Sequence, residues 1–489
     1  MFKKTLCLFC ALTMLFTVIG CDDQSSSSDA DVASDVGGFM QFEGEESSTG
    51  GSTGGSTGGS TGGSTGGSTG GNKEISGEAV IQQPDTPTNK KSVLASKDYK
   101  GKSFSFLYWY SPNNDVAKKV EAFNKEHNAN LKIDIVSGDI SVSIAKSIAS
   151  GKPYDVIANH SLFFPQSIFD NIYEPLESYI SKEDMYDSSK PKDGGLNEYV
   201  NQRFAYNGHY YALGSHKSTY QIVYYYNKKL FKDAGFEDPW ELYKKGEWTW
   251  DKIKEYGAQI YDEAEGIAMC TALDSNWGSI NNVRSIVFDK DRYVENVTDA
   301  NYVQSVQLYN QLFNGNNPIM IKGTSESTFI SGKAYMHCNV TDSWRQISNN
   351  AKISNAFGRK IENLGVVPVP YGPLNTSKAY PANPGQGYSA TKGCKDPSVA
   401  ACYALFESKY TVPSSKNDFP TDVLAEVQTL FSKNASMGYG GFQNTSGTYA
   451  YQIESAAWKE ILNGADIVAT LNNLRQPIQR CIDDSTTHN

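Results

Sequence analysis

Fourteen of the 47 residues between positions 204 and 250 are aromatic, in a chain that is 12% aromatic overall. The order of residues in this stretch narrows what it can form. Tyr206-Asn207-Gly208-His209-Tyr210 puts a residue free to take positive φ between two β-prone pieces, which predicts a hairpin turn. The β-branched and aromatic run at 222–226 predicts a strand. Asn227 then caps a short helix over 228–234, which Gly235 ends. A strand feeding a helix belongs to an α/β arrangement.

The same grammar precedes it. Positions 104–110 read as a strand, and Asn113 or Asn114 caps a helix whose Val116, Val120 and Phe123 share a face. A second strand follows at 131–136. Ile140, Ile144 and Ile148 mark a helix stopped at Gly151, and a third strand covers 154–158. This βαβαβ order predicts a parallel, right-handed unit, with ligands beyond the carboxyl ends of its strands. Trp109, Tyr110, Asn113, Asn159 and His160 fall at those ends.

Further on, 171–186 reads as amphipathic surface. Thr249 caps a helix carrying Ile253, Tyr256 and Ile260. An apolar run at 269–273 leads into a loop at 274–278, and Asp299 caps a helix reaching 313. Strands are expected up to Asn339 and over 364–369. Asp396-Pro397 opens a helix to 407, and the last helices cover 422–433, 449–463 and 466–481.

The first 20 residues read as a lipoprotein signal peptide, a leader rather than part of the fold. Lys3 and Lys4 precede an apolar run at 6–19, ending in Val18-Ile19-Gly20-Cys21. This resembles a bacterial lipobox, in which Cys21 carries lipid, palmitate included, and anchors the chain at the membrane. Positions 21–99 then read as a lipid-anchored disordered linker with six STGG units at 48–71, too poor in apolar surface to order itself. The formal net charge of −10, with no basic cluster, argues against nucleic-acid binding. Cys270, Cys338, Cys394, Cys402 and Cys481 have no metal-ligand spacing and read as small buried hydrophobes. Asp289-Lys290-Asp291-Arg292 lacks the spacing of a calcium loop and reads as solvated. No GxSxG, HExxH or Walker A motif points to an enzyme.

Over about 101–484 the chain resembles bacterial extracellular solute-binding proteins of family 1, the carbohydrate-binding subunits of ABC importers, maltodextrin-binding protein among them. The matching pieces come in the family's order: Tyr-Trp-Tyr-Ser at 108–111, FNKEHN at 123–128, PYDVIANHS at 153–161 and YNGHYYALGS at 206–215. YYYNKKLFKDAGFEDP at 224–239 and GEWTWDKI at 246–253 are the most specific. FISGKAYM at 329–336, LGVVPVPYGP at 364–373 and SAAWKEILNG at 455–464 complete the set.

The resemblance implies a two-lobed, periplasmic-binding-protein-like α/β fold with a hinge and a ligand cleft between lobes. It places a first lobe at 100–217 plus 334–410, a second at 218–333 plus 411–484, and a tail at 485–489. It also implies an oligosaccharide ligand, delivery to ABC-transporter permease subunits, a monomeric chain on the outer face of the cytoplasmic membrane, and no enzymatic activity, cofactor or metal. A secreted glycoside hydrolase, or the same fold binding a non-sugar solute such as a peptide, are the alternatives.

Sugars present apolar faces to aromatic rings and hydroxyls to amides, carboxylates and basic groups. The candidate ligand residues supply both: Trp109, Tyr110, Asn113, Asn159, His160, Lys217, Tyr220, Gln221, Asn276, Trp277, Asp342, Trp344, Gln386, Tyr439 and Trp458. Of these, Trp109, Asn159, Trp277 and Trp344 are the leading ligand contacts. Trp458 reads equally as core, while Trp248, Trp250 and most of 224–250 read as core.

Overall fold

The computed structural model describes residues 91–486 apart from 109–113, 137–139, 161–163, 165–167, 169–170, 188–193, 216–219, 290–291, 384–385, 411–418, 437–440, 445 and 447. The leader, Cys21 and the STGG tract lie outside the described residues, as do Trp109, Tyr110, Asn113, Lys217, Tyr439 and the side chain of His160.

The first sheet follows the predicted alternation. β1 (Ser103–Tyr108), α1 (Asn114–Glu126), β2 (Asn130–Ile135), α2 (Ile140–Ala149) and β3 (Val156–His160) succeed one another. β1 pairs in parallel with both β2 and β3. Side chains alternate along a strand, so Phe104, Phe106 and Tyr108 share a face and pack with Val116, Val120 and Phe123 of α1. Next come α3 (Glu198–Arg203) and the predicted hairpin, β4 (Ala205–Tyr206) and β5 (His209–Tyr210).

β6 (Tyr220–Asn227) is the axis of the second sheet. Ile222 through Tyr226 are all buried. Asn227 caps α4 (Lys228–Asp233) by accepting from the Lys229 and Leu230 N–H groups. The chain continues through α5 (Pro239–Lys245), α6 (Trp250–Ile260), β7 (Ala268–Cys270), α7 (Asp274–Asn281), a hairpin of β8 (Ile286–Asp289) and β9 (Arg292–Glu295), and α8 (Ala300–Asn314). α9 (Glu326–Ile330), β10 (Ala334–Val340), α10 (Trp344–Ile353), β11 (Leu364–Pro368) and β12 (Tyr380–Asn383) follow. β10 pairs antiparallel with one edge of β6; β11 and then β12 line the other, and β7 runs parallel to β10. β13 (Gln386–Ser389) returns to the first sheet, antiparallel to β3, giving the order β13-β3-β1-β2. α11 (Ser398–Lys409) is buried along almost its whole length beneath that sheet's core. α12 (Thr421–Lys433), β14 (Ala435–Ser436) beside β12, α13 (Ala450–Leu462) and α14 (Ile467–Thr486) close the chain.

Three expectations change. The linker ends before 99, because Leu94 and Tyr99 are buried in the first sheet's core and the Tyr99 N–H donates to the His127 carbonyl at 2.9 Å. The 274–278 loop is the start of α7; Trp277 and Ile280 bury one face, and that burial outweighs a polar, glycine-containing sequence. The segment 334–383, expected with the first lobe, hydrogen-bonds into the sheet of β6 instead, because β10, β11 and β12 all flank that strand.

The core reading of 224–250 agrees with the structure. Trp248 and Trp250 are buried, and their indole N–H groups donate to the Pro368 and Pro370 carbonyls at 3.0 and 3.2 Å. The Tyr226 ring lies over Gly365 across the β6–β11 pairing, where an added Cβ would sit 2.2 Å from the ring. Gly365→Ala is therefore expected to destabilise the protein by about 1–3 kcal/mol through overpacking, read as a lower urea midpoint.

Candidate functional site

Strand directions bring the informative ends together. β1, β2 and β3 are parallel, so their carboxyl ends lie at one end of the first sheet, where antiparallel β13 begins. In the second sheet, β6 begins where β7, β10 and β12 end. Asn383, which closes β12, and Gln386, which opens β13, are three residues apart and so at most about 11 Å from each other. The two ligand-prone ends are therefore adjacent.

Several predicted residues lie at or near these strand ends. Asn159 is 1% exposed, and its amide nitrogen donates to the Ser389 hydroxyl at 3.1 Å. His160 ends β3 opposite Gln386. Gln386 is half-buried, and its Nε2 is buried with no hydrogen-bond partner among the described residues. Across the junction, Tyr220 opens β6 half-buried opposite Asn383, and buried Gln221 accepts from the Thr341 hydroxyl at 3.3 Å. Asp342 is exposed in the turn after β10. Asn276, half-buried on α7, points its amide nitrogen at the Cys338 sulfur, 4.0 Å away.

The described tryptophans lie elsewhere. Trp277 is 2% exposed, donates to the Ser305 carbonyl at 2.7 Å and meets Trp250 edge-on at 5.0 Å. Trp344 is 7% exposed, with its ring lying along Tyr225 at 6.4 Å and against the edge of Phe419 at 5.4 Å. Trp458 donates to the Tyr302 hydroxyl at 3.2 Å and packs on Tyr309 at 5.0 Å. All three stand in the second sheet's core. Gly387, beside Gln386, makes room for the Phe204 ring, 2.8 Å from where a Cβ would sit.

One polar row was not anticipated. Thr271, His337 and Asn339 line up near the ends of β7 and β10. The Asn339 oxygen accepts from the Val340 N–H at 2.8 Å, which turns its amide nitrogen toward His337 Nε2 at 3.2 Å. His337 Nδ1–H then donates to the Thr271 hydroxyl at 2.9 Å. Burial holds the His337 pKa down, from 6.5 to about 4. The period-two pattern of Ala334–Val340, with His337 and Asn339 on the face opposite Met336 and Cys338, was the available signal.

Among the described candidate residues at these strand ends, Asp342 apart, the side chains offer neutral carboxamides and hydroxyls. Among the described residues no three His, Cys, Asp or Glu side chains converge as metal ligands, and all five described cysteines are free thiols. A cavity of about 480 Å³ bordered by Lys254, Gln311, Asn317 and the edges of Trp250 and Trp277 lies against α6 and α8 and includes none of the strand-end residues.

The family described as bacterial extracellular solute-binding protein matches residues 111–402. Among curated proteins no relative matches the chain in sequence. Solved structures share its fold. An ABC substrate-binding protein from Listeria monocytogenes in complex with cycloalternan is 16% identical with a TM-score of 0.56, over 78% of this chain and 98% of that one. An extracellular solute-binding protein from Staphylococcus aureus in complex with maltose is 14% identical with a TM-score of 0.57, over 78% and 98%. A protein from Mycobacterium tuberculosis in complex with glycerophosphocholine is 15% identical with a TM-score of 0.55, over 78% and 98%. The likeness establishes a two-lobed, periplasmic-binding-protein-like α/β fold.

Proposed function

Because the chain belongs to the bacterial extracellular solute-binding proteins, we propose that it captures an oligosaccharide by closing two lobes around it and delivers it to an ABC importer. It is a binding protein of ABC transport and not an enzyme. The observation that carries the reading is the buried Gln386 Nε2, without a hydrogen-bond partner among the described residues, where β13 begins beside the end of β3. A buried donor without a partner costs about 1–3 kcal/mol, which a ligand oxygen would recover. The carboxamides of Asn159 and Gln221 and the hydroxyl of Tyr220 add the neutral donors and acceptors that suit sugar hydroxyls.

The strand pairings favour a first lobe of about 91–215 with 386–410, and a second of about 220–383 with 419–486. Ligand bridging both lobes would favour their closed arrangement by its differential affinity. The sugar-bound neighbours favour a saccharide cargo; the glycerophosphocholine complex shows that a neighbour of this fold holds a different solute. Attachment to the outer face of the membrane through lipid on Cys21 rests on the Val18-Ile19-Gly20-Cys21 sequence, and no helix of the described residues is long and apolar enough to cross a membrane. The chain acts as a monomer in this reading.

A thermal-shift panel of maltooligosaccharides, other glycans, peptides and glycerophosphodiesters tests the cargo. A bound saccharide at a hundred times its Kd should raise stability by about 2.7 kcal/mol. Gln386→Ala is then expected to weaken that saccharide roughly tenfold, the value of one neutral hydrogen bond, in isothermal titration. Stabilisation by a non-sugar alone would replace the cargo, and an unchanged Kd in Gln386→Ala would remove that residue from the site.

A further inference from the structure

Two tyrosines cross from one sheet's core to the other. Tyr199 sits on α3 between residues of the first sheet's side: Asn197 caps that helix, and Val200 is buried with Phe164, Phe204 and Ala212. Its own ring turns the other way, against Phe431 of α12 at 6.0 Å, and its hydroxyl donates to the Lys433 carbonyl at 2.9 Å. Lys433 is the last residue of α12, whose terminal carbonyls have no partner within the helix. A side chain from one core thus caps a helix of the other. Tyr206, in the β4–β5 hairpin, packs on the second sheet's core and on a small cluster of Phe164, Val200, Phe204 and Ala212, whose Phe204 ring lies against Gly387 of β13 in the first sheet. Its ring lies parallel to Tyr293 of β9 at 6.2 Å and 15°, and Tyr293 in turn meets Phe442 edge-on at 4.9 Å.

These contacts are made by residues outside the covalent connections between the sheets, which pass between Ser215 and Tyr220, between Asn383 and Gln386 and between Tyr410 and Phe419. Any relative rotation about those connections moves Tyr199 from Lys433 and Tyr206 from Tyr293 together, since each tyrosine is fixed to one core and its partner to the other. We propose that Tyr199 and Tyr206 form a clasp that sets the spacing of the two lobes without ligand, and so act as positioning residues for capture. The clasp rests on the binding reading only for what the spacing serves; its existence is tested with no ligand present.

The experiment is pulsed electron–electron double resonance on the ligand-free, full-length protein, between spin-labelled unnatural amino acids at Glu121 on α1 and Asn472 on α14, both exposed. One hydrogen bond and one aromatic pair together bias the arrangement by roughly thirtyfold. Wild type is expected to give one dominant distance. In Tyr206→Ala, and more so in Tyr199→Phe/Tyr206→Ala, a second and longer distance should grow by up to that factor, with the circular-dichroism spectrum unchanged. Tyr206 is only half-buried, so Tyr206→Ala alone decides the matter if the double variant fails to fold. The same distance distribution in wild type and in folded Tyr206→Ala would overturn the clasp while leaving the ligand panel untouched. Loss of saccharide binding in the panel with a shifted distribution would do the reverse.

Discussion

Trp277→Ala is expected to lower the unfolding free energy by about 3–5 kcal/mol, the largest single-residue effect anticipated in this protein. The indole is enclosed by Trp250 edge-on at 5.0 Å and Tyr309 at 5.7 Å, and its N–H bonds the Ser305 carbonyl at 2.7 Å. Truncation removes the transfer energy of the ring, leaves a void in a close-packed core and deletes a buried hydrogen bond. Urea unfolding should show a lower midpoint at unchanged slope. Trp277→Phe should recover much of the loss, because it refills most of the volume. Saccharide affinity of the folded Trp277→Phe protein should match wild type. A ring that stacked on ligand would behave in the opposite way, with affinity lost and stability kept, and that pattern would return Trp277 to the site.

Acid is expected to destabilise the protein through His337. Its pKa is held down by burial, from 6.5 to about 4, and both ring nitrogens are committed: Nε2 accepts from Asn339 and Nδ1–H donates to Thr271. Phe329 lies along the ring at 5.9 Å, so no nearby carboxylate compensates a charge on that side. Between pH 6.5 and 4 the unfolded chain binds a proton at this position and the folded one does not. Stability therefore rises with pH through this window, is fully present above 6.5, and falls by about 3 kcal/mol on acidification to 4, below which this group adds no further change. Comparing wild type with His337→Gln across pH 7, 5.5 and 4.5 isolates the effect from the carboxylates. The difference between the two proteins should shrink as pH falls; a difference constant with pH would contradict the assignment.

What could be read in advance divides by distance along the chain. The hairpin at Asn207-Gly208, the Asn227, Thr249 and Asp299 caps, and the βαβαβ order all appear as expected, because each is a relation between residues a few positions apart. Of the proposed site, the strand-end positions were legible: Asn159, Gln221 and Gln386 lie at or beside strand ends, since residues at strand ends stay at strand ends whatever the wider packing. The tryptophans were misplaced because their polar neighbours, Asn276 beside Trp277 and Asp342 beside Trp344, suggest open loops. Their actual partners, Ser305 and Tyr309 for one and Tyr225 and Phe419 for the other, are distant in sequence.

Sequence by itself determined the class of this protein: the family, the α/β alternation, the capped helices and an aromatic core built around 220–227. Those follow from periodicity and from local hydrogen bonds that side chains offer their own backbone. Only the tertiary structure decided that 334–383 joins the sheet of β6, that Trp277, Trp344 and Trp458 turn inward, and that Gln386 Nε2 is buried without a partner among the described residues. The reason is physical. β6 has two edges to satisfy, and the strands that pair with them come from more than a hundred residues away.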